Sequence, residues 1–339
     1  MSKISYMNAI RDGIAEEMRR DPTIITMGEG IGERGGSYGQ TKNLYQEFGA
    51  DRVIDAPISE NGFTAMAVGA AATGLRPIVD IMFADILFEI LSPLCQEAGK
   101  LSYMSNGQVK VPMIVRAQMG GRVSGPHHSA CLYAITMHVP GLKVVVPGNT
   151  YDAKGLMKTA LRQNDPVVFF EHKFAYPMRD EIPDEEYTVP FDEANILKEG
   201  KDATVVIIGP IIQQRIKNVM QKNMIKADIE VIDPRVLYPL NFSQIEASVK
   251  KTGRLVVIEE GHLTCGAASE ISARVAEELF SYLKAPIIRV ATKDLPHPYA
   301  PVLEEAMIPT EELIADAVDR VMKQGEYPLK SSRSVEKNH

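Results

Sequence analysis

The chain has 339 residues, 45% of them hydrophobic and 24% charged, and a formal net charge of −7. These are ordinary values for a chain with two folded cores, and the acidic balance without a lysine or arginine cluster argues against nucleic acid as a main partner. Cys95, Cys131 and Cys265 lack C-x-x-C spacing and no apolar run approaches a bilayer span, so no zinc site, disulfide framework or membrane partner is indicated, and a reduced, cytoplasmic chain is expected.

Short apolar runs rich in valine and isoleucine alternate with helical segments from the start. Strands are predicted at Thr23–Met27, Val53–Asp55, Ile78–Met82, Met113–Arg116, Lys143–Val146 and Val167–Phe170. Helices fall between them at Ser5–Arg20, Thr41–Phe48, Glu60–Thr73, Ile86–Ser102 and Asp152–Gln163. Continuously apolar strands suit a parallel sheet covered on both faces. The alternation lapses over 176–200, where Pro177, Pro183, Pro190 and an acidic run read as an exposed linker. It restarts with strands at Thr204–Ile208, Ile229–Asp233, Leu255–Glu259 and Ile287–Val290. The matching helices are Ile211–Met224, Phe242–Val249, Ala267–Phe280 and Glu311–Met322, the last capped by Thr310. The reading is an α/β chain of two parallel-sheet, three-layer domains, 1–175 and 201–325, followed by a polar tail over 326–339.

Three segments carry candidate chemistry. Asp55-Ala56-Pro57-Ile58-Ser59-Glu60 runs from a strand into a helix of small and apolar residues, expected to be buried, with Ser59 available as its cap. A glutamate at that entrance is costly unless it is paired or used, although acids also occur there to meet the helix dipole. Gly30-Ile31-Gly32-Glu33-Arg34-Gly35 matches G-x-G-x-x-G, but no helix opens inside it, so a flexible loop over a cleft fits better than a dinucleotide fingerprint. Gly120-Gly121-Arg122-Val123-Ser124-Gly125-Pro126-His127-His128-Ser129 is a second glycine-rich loop, with imidazoles able to exchange protons near neutral pH. All three follow strand ends and so gather at one edge of a parallel sheet, where open α/β folds bind ligands. The nucleophile elbow, the Walker lysine and the His-Glu-x-x-His helix are absent.

Together with Gly28-Glu29-Gly30, Gly74-Leu75-Arg76-Pro77, Pro140-Gly141-Leu142-Lys143, Asp152-Ala153-Lys154-Gly155 and Pro296-His297-Pro298-Tyr299, these blocks span the chain from Tyr6 to Met322. The sequence resembles the β subunit of the E1 component of thiamine-diphosphate-dependent 2-oxo acid dehydrogenases, of the pyruvate, branched-chain 2-oxo acid or acetoin type. The resemblance implies a pyrimidine-binding, transketolase-like domain followed by a transketolase C-terminal-like domain. It also implies an α2β2 heterotetramer, with the diphosphate and Mg2+ held by the α subunit, and a lipoyl-bearing E2 as acyl acceptor. Glu60 matches the glutamate that hydrogen-bonds the aminopyrimidine and, by proton exchange with it, activates the thiazolium carbon. His128 matches the histidine implicated in acyl transfer. Met82 and Ile86 fall against the cofactor, and potassium ligands fall at Met113, Ala160, Leu161 and Asp165. Two positions depart from the family: Ala130 stands where glutamine is usual, and Ile86 where an aromatic is usual. The alternatives are a split transketolase, which shares the domain order, and a non-catalytic assembly subunit, against which Glu60 and His128 argue.

Overall fold

The computed structural model describes residues 1–121 and 124–323. Arg122, Val123 and the expected tail lie outside the described residues. The chain enters through β1 (Ser2–Ser5), which pairs antiparallel with β8 (Arg179–Ile182), and turns directly into α1 (Tyr6–Arg20). Ser5 caps that helix by accepting from the Asn8 amide at 3.2 Å.

The first sheet takes β2 (Ile24–Gly28), β3 (Val53–Asp55), β4 (Arg76–Asp80), β5 (Ile114–Met119), β6 (Lys143–Val145) and β7 (Val167–His172), all parallel to one another. A seventh strand, β12 (Val236–Tyr238), joins antiparallel beside β6, giving the order β12-β6-β7-β5-β4-β2-β3. Alternate strand residues face opposite layers, as the two-residue side-chain period requires. Ile24, Ile78, Ile114, Val167 and Phe169 pack against α1 and α7 (Thr150–Leu161). Leu44 of α2 (Leu44–Phe48) joins that same layer, whereas Ile25, Val79, Val115, Val168 and Phe170 face the opposite one, centred on α3 (Glu60–Ala72). Val206, Ile208 and Val257 of the second sheet share that core, so one apolar interior runs between the two sheets.

The second sheet has the order β14-β13-β10-β11-β9. Its strands are β9 (Asn195–Lys198), β10 (Ala203–Ile207), β11 (Ile229–Asp233), β13 (Leu255–His262) and β14 (Ile288–Thr292). Helices α8 (Pro210–Gln221), α9 (Ser243–Thr252), α10 (Ala267–Glu278), α11 (Pro301–Glu305) and α12 (Glu311–Met322) complete it, with Thr310 capping α12 through the Leu313 amide.

Several expectations shift. Residues 176–200 contain β8 and β9, both antiparallel additions whose short runs carry little periodicity. The single helix expected over Ile86–Ser102 is α4 (Leu87–Leu91), a π segment (Ser92–Ala98) and α5 (Gly99–Met104). Pro93 lacks the N–H an α ladder needs, and the widened turn accommodates the break. The five-residue α6 (Tyr133–Met137) and α11 are too short to show a 3.6-residue pattern. Helix α3 is buried on one face only, through Phe63, Thr64, Ala67, Val68 and Ala71. The Gly30–Gly35 loop is closed on itself rather than loose: Gly36 donates to the Gly30 carbonyl at 2.8 Å, Thr41 donates to Gly35 at 3.0 Å, and Gln40 and Thr41 are buried.

Candidate active site

Five loops leave the C-terminal edge of the first sheet side by side, and strand order decides which residues meet. Glu60 is the first residue of α3, where the positive end of the helix suits a carboxylate. Ser59 does not cap it with its side chain; the Ser59 carbonyl instead accepts from the Phe63 amide at 3.0 Å. Glu29 follows β2, the neighbour of β3, and its carboxyl lies within electrostatic reach of that of Glu60. Burial first, and then the charge of Glu60, push Glu29 above the usual carboxylate range. Glu29 Oε1 is buried with no partner of its own. Two carboxyls this close repel each other when both are ionised, and the pair is set at the positive end of α3.

Beyond β4 the chain reverses through Met82, whose φ of 67° is left-handed and whose amide donates to Asp80 Oδ1 at 3.0 Å. That reversal turns Met82, Phe83 and Ile86, all half-buried, toward the edge. Beneath them lies a buried polar plug. Arg116 donates to both oxygens of Glu171 at 2.5 and 3.0 Å and to Asp80 at 3.2 Å, while Tyr176 donates to Glu171 at 2.9 Å. Its carboxylates hold Arg116 fully charged despite its burial, so the sheet under the site is cross-braced.

The loop after β5 carries His128. Its imidazole meets the Phe83 ring edge-on, centroids 4.3 Å apart at 66°. The Ala130 amide donates to Asp85 at 3.2 Å, and the Lys173 ammonium, just past β7, donates to the His128 carbonyl. Gly120 needs its φ of 82°, and a side chain there would run into the His172 ring. His172 in turn pairs with Glu260 of the second sheet at 3.0 Å, with both groups buried.

The structure thus brings Glu60, Met82, Ile86 and His128 to one edge. Glu29, Phe83 and Lys173 complete it, and the sequence reading had assigned them no role. All three follow parallel strands, so the strand-end rule that singled out Glu60 was the available signal. The four residues expected to hold potassium do not offer an open set of oxygens. Met113 accepts from the Val167 amide at 2.9 Å, Ala160 from Gln163 at 3.1 Å, and the Asp165 carboxylate pairs with Lys143 at 3.1 Å. The Arg76 guanidinium covers the Leu161 and Gln163 carbonyls at 3.2 and 2.6 Å. Of these four residues, Leu161 meets a side-chain cation through its carbonyl and Asp165 through its carboxylate. The edge does fit an aminopyrimidine: two neighbouring carboxyls, one with an orphaned buried oxygen, share the sheet edge with the half-buried Met82, Phe83 and Ile86. No group of three or more His, Cys, Asp or Glu side chains that could hold a metal ion occurs among the described residues.

Residues 2–179 match the transketolase pyrimidine-binding domain and residues 192–314 the transketolase C-terminal domain. The β subunit of acetoin:2,6-dichlorophenolindophenol oxidoreductase from Cupriavidus necator is 40% identical over 336 residues, covering 96% of this chain and 99% of that one. The pyruvate dehydrogenase E1 β subunits of Rhizobium meliloti and Porphyra purpurea are 42% and 40% identical, each over 95% of this chain and over 70% and 98% of theirs. The chain belongs to the E1 β-subunit family. The E1 β subunit also shares its fold with a split-gene transketolase solved as an inactive β4 tetramer, with a TM-score of 0.78 at 19% identity over 95% of this chain and 99% of that one. None of its described helices is long and apolar enough to cross a membrane.

Proposed function

We propose that this β subunit holds the aminopyrimidine end of thiamine diphosphate against its first sheet, while an α subunit in an α2β2 assembly holds the diphosphate and Mg2+. When bound, the cofactor supplies the carbon nucleophile and electron sink for cleaving the bond beside a carbonyl. The observation that carries this reading is the Glu29–Glu60 pair at the mouth of α3. Glu60 presents its carboxyl to a ring nitrogen for proton exchange, and Glu29, raised by burial and by Glu60, stands beside it. Met82, Phe83 and Ile86 press on the ring and exclude water. His128, fixed edge-on to Phe83, moves a proton during transfer of the acyl group to a lipoyl-bearing E2.

An apolar surface supports the partnership. Ile58 is 82% exposed, Phe88 57% and Met66 51%, beside the small residues on the outer face of α3. Contiguous apolar exposure at the rim of the site is what a partner subunit would cover. The substrate is a small 2-oxo acid or acetoin, since relatives of both names stand at similar identity. Ala130, in place of a glutamine, shortens one wall and widens the room beside His128. The test is reconstitution with the α subunit encoded beside it and a panel of pyruvate, branched 2-oxo acids and acetoin, with lipoyl domain as acceptor. Turnover that needs α, thiamine diphosphate and one of these substrates supports the reading. Turnover of a sugar phosphate instead would replace it with the split-transketolase alternative.

A further inference from the structure

We propose that Lys173 is the positioning residue of the His128 loop, fixing both the main chain and the ring orientation of His128; this rests on the role given to His128 above. A fully buried lysine costs desolvation that packing alone would not require, since methionine has the same reach. The Lys173 ammonium meets two supports of one imidazole. It donates to the carbonyl of His128 itself, and it lies over the Phe83 ring, 5.1 Å from the centroid. The same Phe83 ring meets the His128 imidazole edge-on. A cation over one ring and on one carbonyl therefore holds the backbone and the side-chain neighbour of the same residue.

The preceding residue anchors the far end of the loop. Gly120 lies against the His172 ring, and His172 is fixed at both nitrogens: Nε2 faces Glu260 at 3.0 Å and Nδ1 accepts from the Phe174 amide at 3.2 Å. An acceptor Nδ1 leaves Nε2 as the donor to Glu260. The dipeptide His172-Lys173 thus holds the loop at its first residue and at its catalytic one. Cys131 lies within electrostatic reach of Lys173 and also of Asp85, Glu259 and Glu260, and Asp85 takes the Ala130 amide.

The test uses the α-reconstituted enzyme with Lys173→Met, Lys173→Arg and His128→Ala, alone and combined. Acyl transfer to lipoyl domain should fall tenfold or more in Lys173→Met and recover partly in Lys173→Arg. In a His128→Ala background, Lys173→Met should cost less than twofold, because it acts through His128. A second readout does not depend on activity: diethyl pyrocarbonate labelling of His128, measured against adjacent exposed His127 in the same peptide by mass spectrometry. That ratio should rise severalfold in Lys173→Met. Equal losses in both backgrounds, or an unchanged labelling ratio in a folded variant, would overturn the assignment. Should His128→Ala alone transfer normally, the reading of His128 fails, while the labelling ratio still decides whether Lys173 positions the loop.

Discussion

The two sheets end in carboxylates at corresponding edges, and they use them in opposite ways. At the edge of the second sheet every acid meets a group of the fold. Glu259 accepts from the Ala267 and Ala268 amides at 3.2 and 2.7 Å, capping α10. Glu260 meets His172 of the first domain, and Asp233 accepts from the Arg235 amide at 2.8 Å. At the edge of the first sheet Glu29 and Glu60 meet chiefly each other, next to an apolar wall. An acid saturated with backbone donors is locked in place. An acid whose neighbour is another acid meets repulsion instead of a donor when both are ionised. Parallel-sheet architecture supplies both edges, and the first sets two such carboxyls side by side.

That contrast breaks most visibly at Glu60. In the reconstituted enzyme, Glu60→Gln is expected to lower turnover about 10²–10⁴-fold with the assembly intact by size-exclusion chromatography. Glu29→Gln should have a smaller effect, about tenfold to a hundredfold, and change the pH profile. Because burial and Glu60 raise the Glu29 pKa, wild-type activity should decline as pH rises through that raised value, and the glutamine variant should lose this limb in a rate–pH titration. At the second edge the effects should fall on stability instead. Glu259→Ala is expected to cost about 1–2 kcal/mol in urea unfolding through loss of the α10 cap, with activity per folded enzyme within about twofold. The smallest change should be a gain. Burial and Asp152 raise Asp233 to about 7, and its Oδ2 has no partner. Native Asp233 therefore takes up a proton as pH falls from above 7 toward 4, and its buried charge is a burden above 7. Asp233→Asn should stabilise the chain by about 1 kcal/mol at pH 8, with the advantage shrinking to nothing near pH 4 in paired melts.

Much of this was legible from residue patterns. Six parallel strands of the first sheet and the grouping of Glu60 with the His128 loop followed from apolar runs and the strand-end rule. The misses have physical causes. β12 joins the first sheet across a long separation, which local periodicity cannot report. Glu29 looked like part of a glycine loop, since a carboxyl–carboxyl contact depends on β2 lying beside β3. Lys173 gave no local signal, because His128, whose carbonyl it meets, sits 45 residues away along the chain.

The central claim is that the Glu29–Glu60 acid pair activates thiamine diphosphate. The most direct test is hydrogen–deuterium exchange at the thiazolium carbon of the bound cofactor, followed by acid quench and NMR, in the wild-type and Glu60→Gln α-reconstituted enzymes. Exchange slowed at least a hundredfold in Glu60→Gln, with cofactor still bound, is the predicted result; exchange at the wild-type rate would contradict the account.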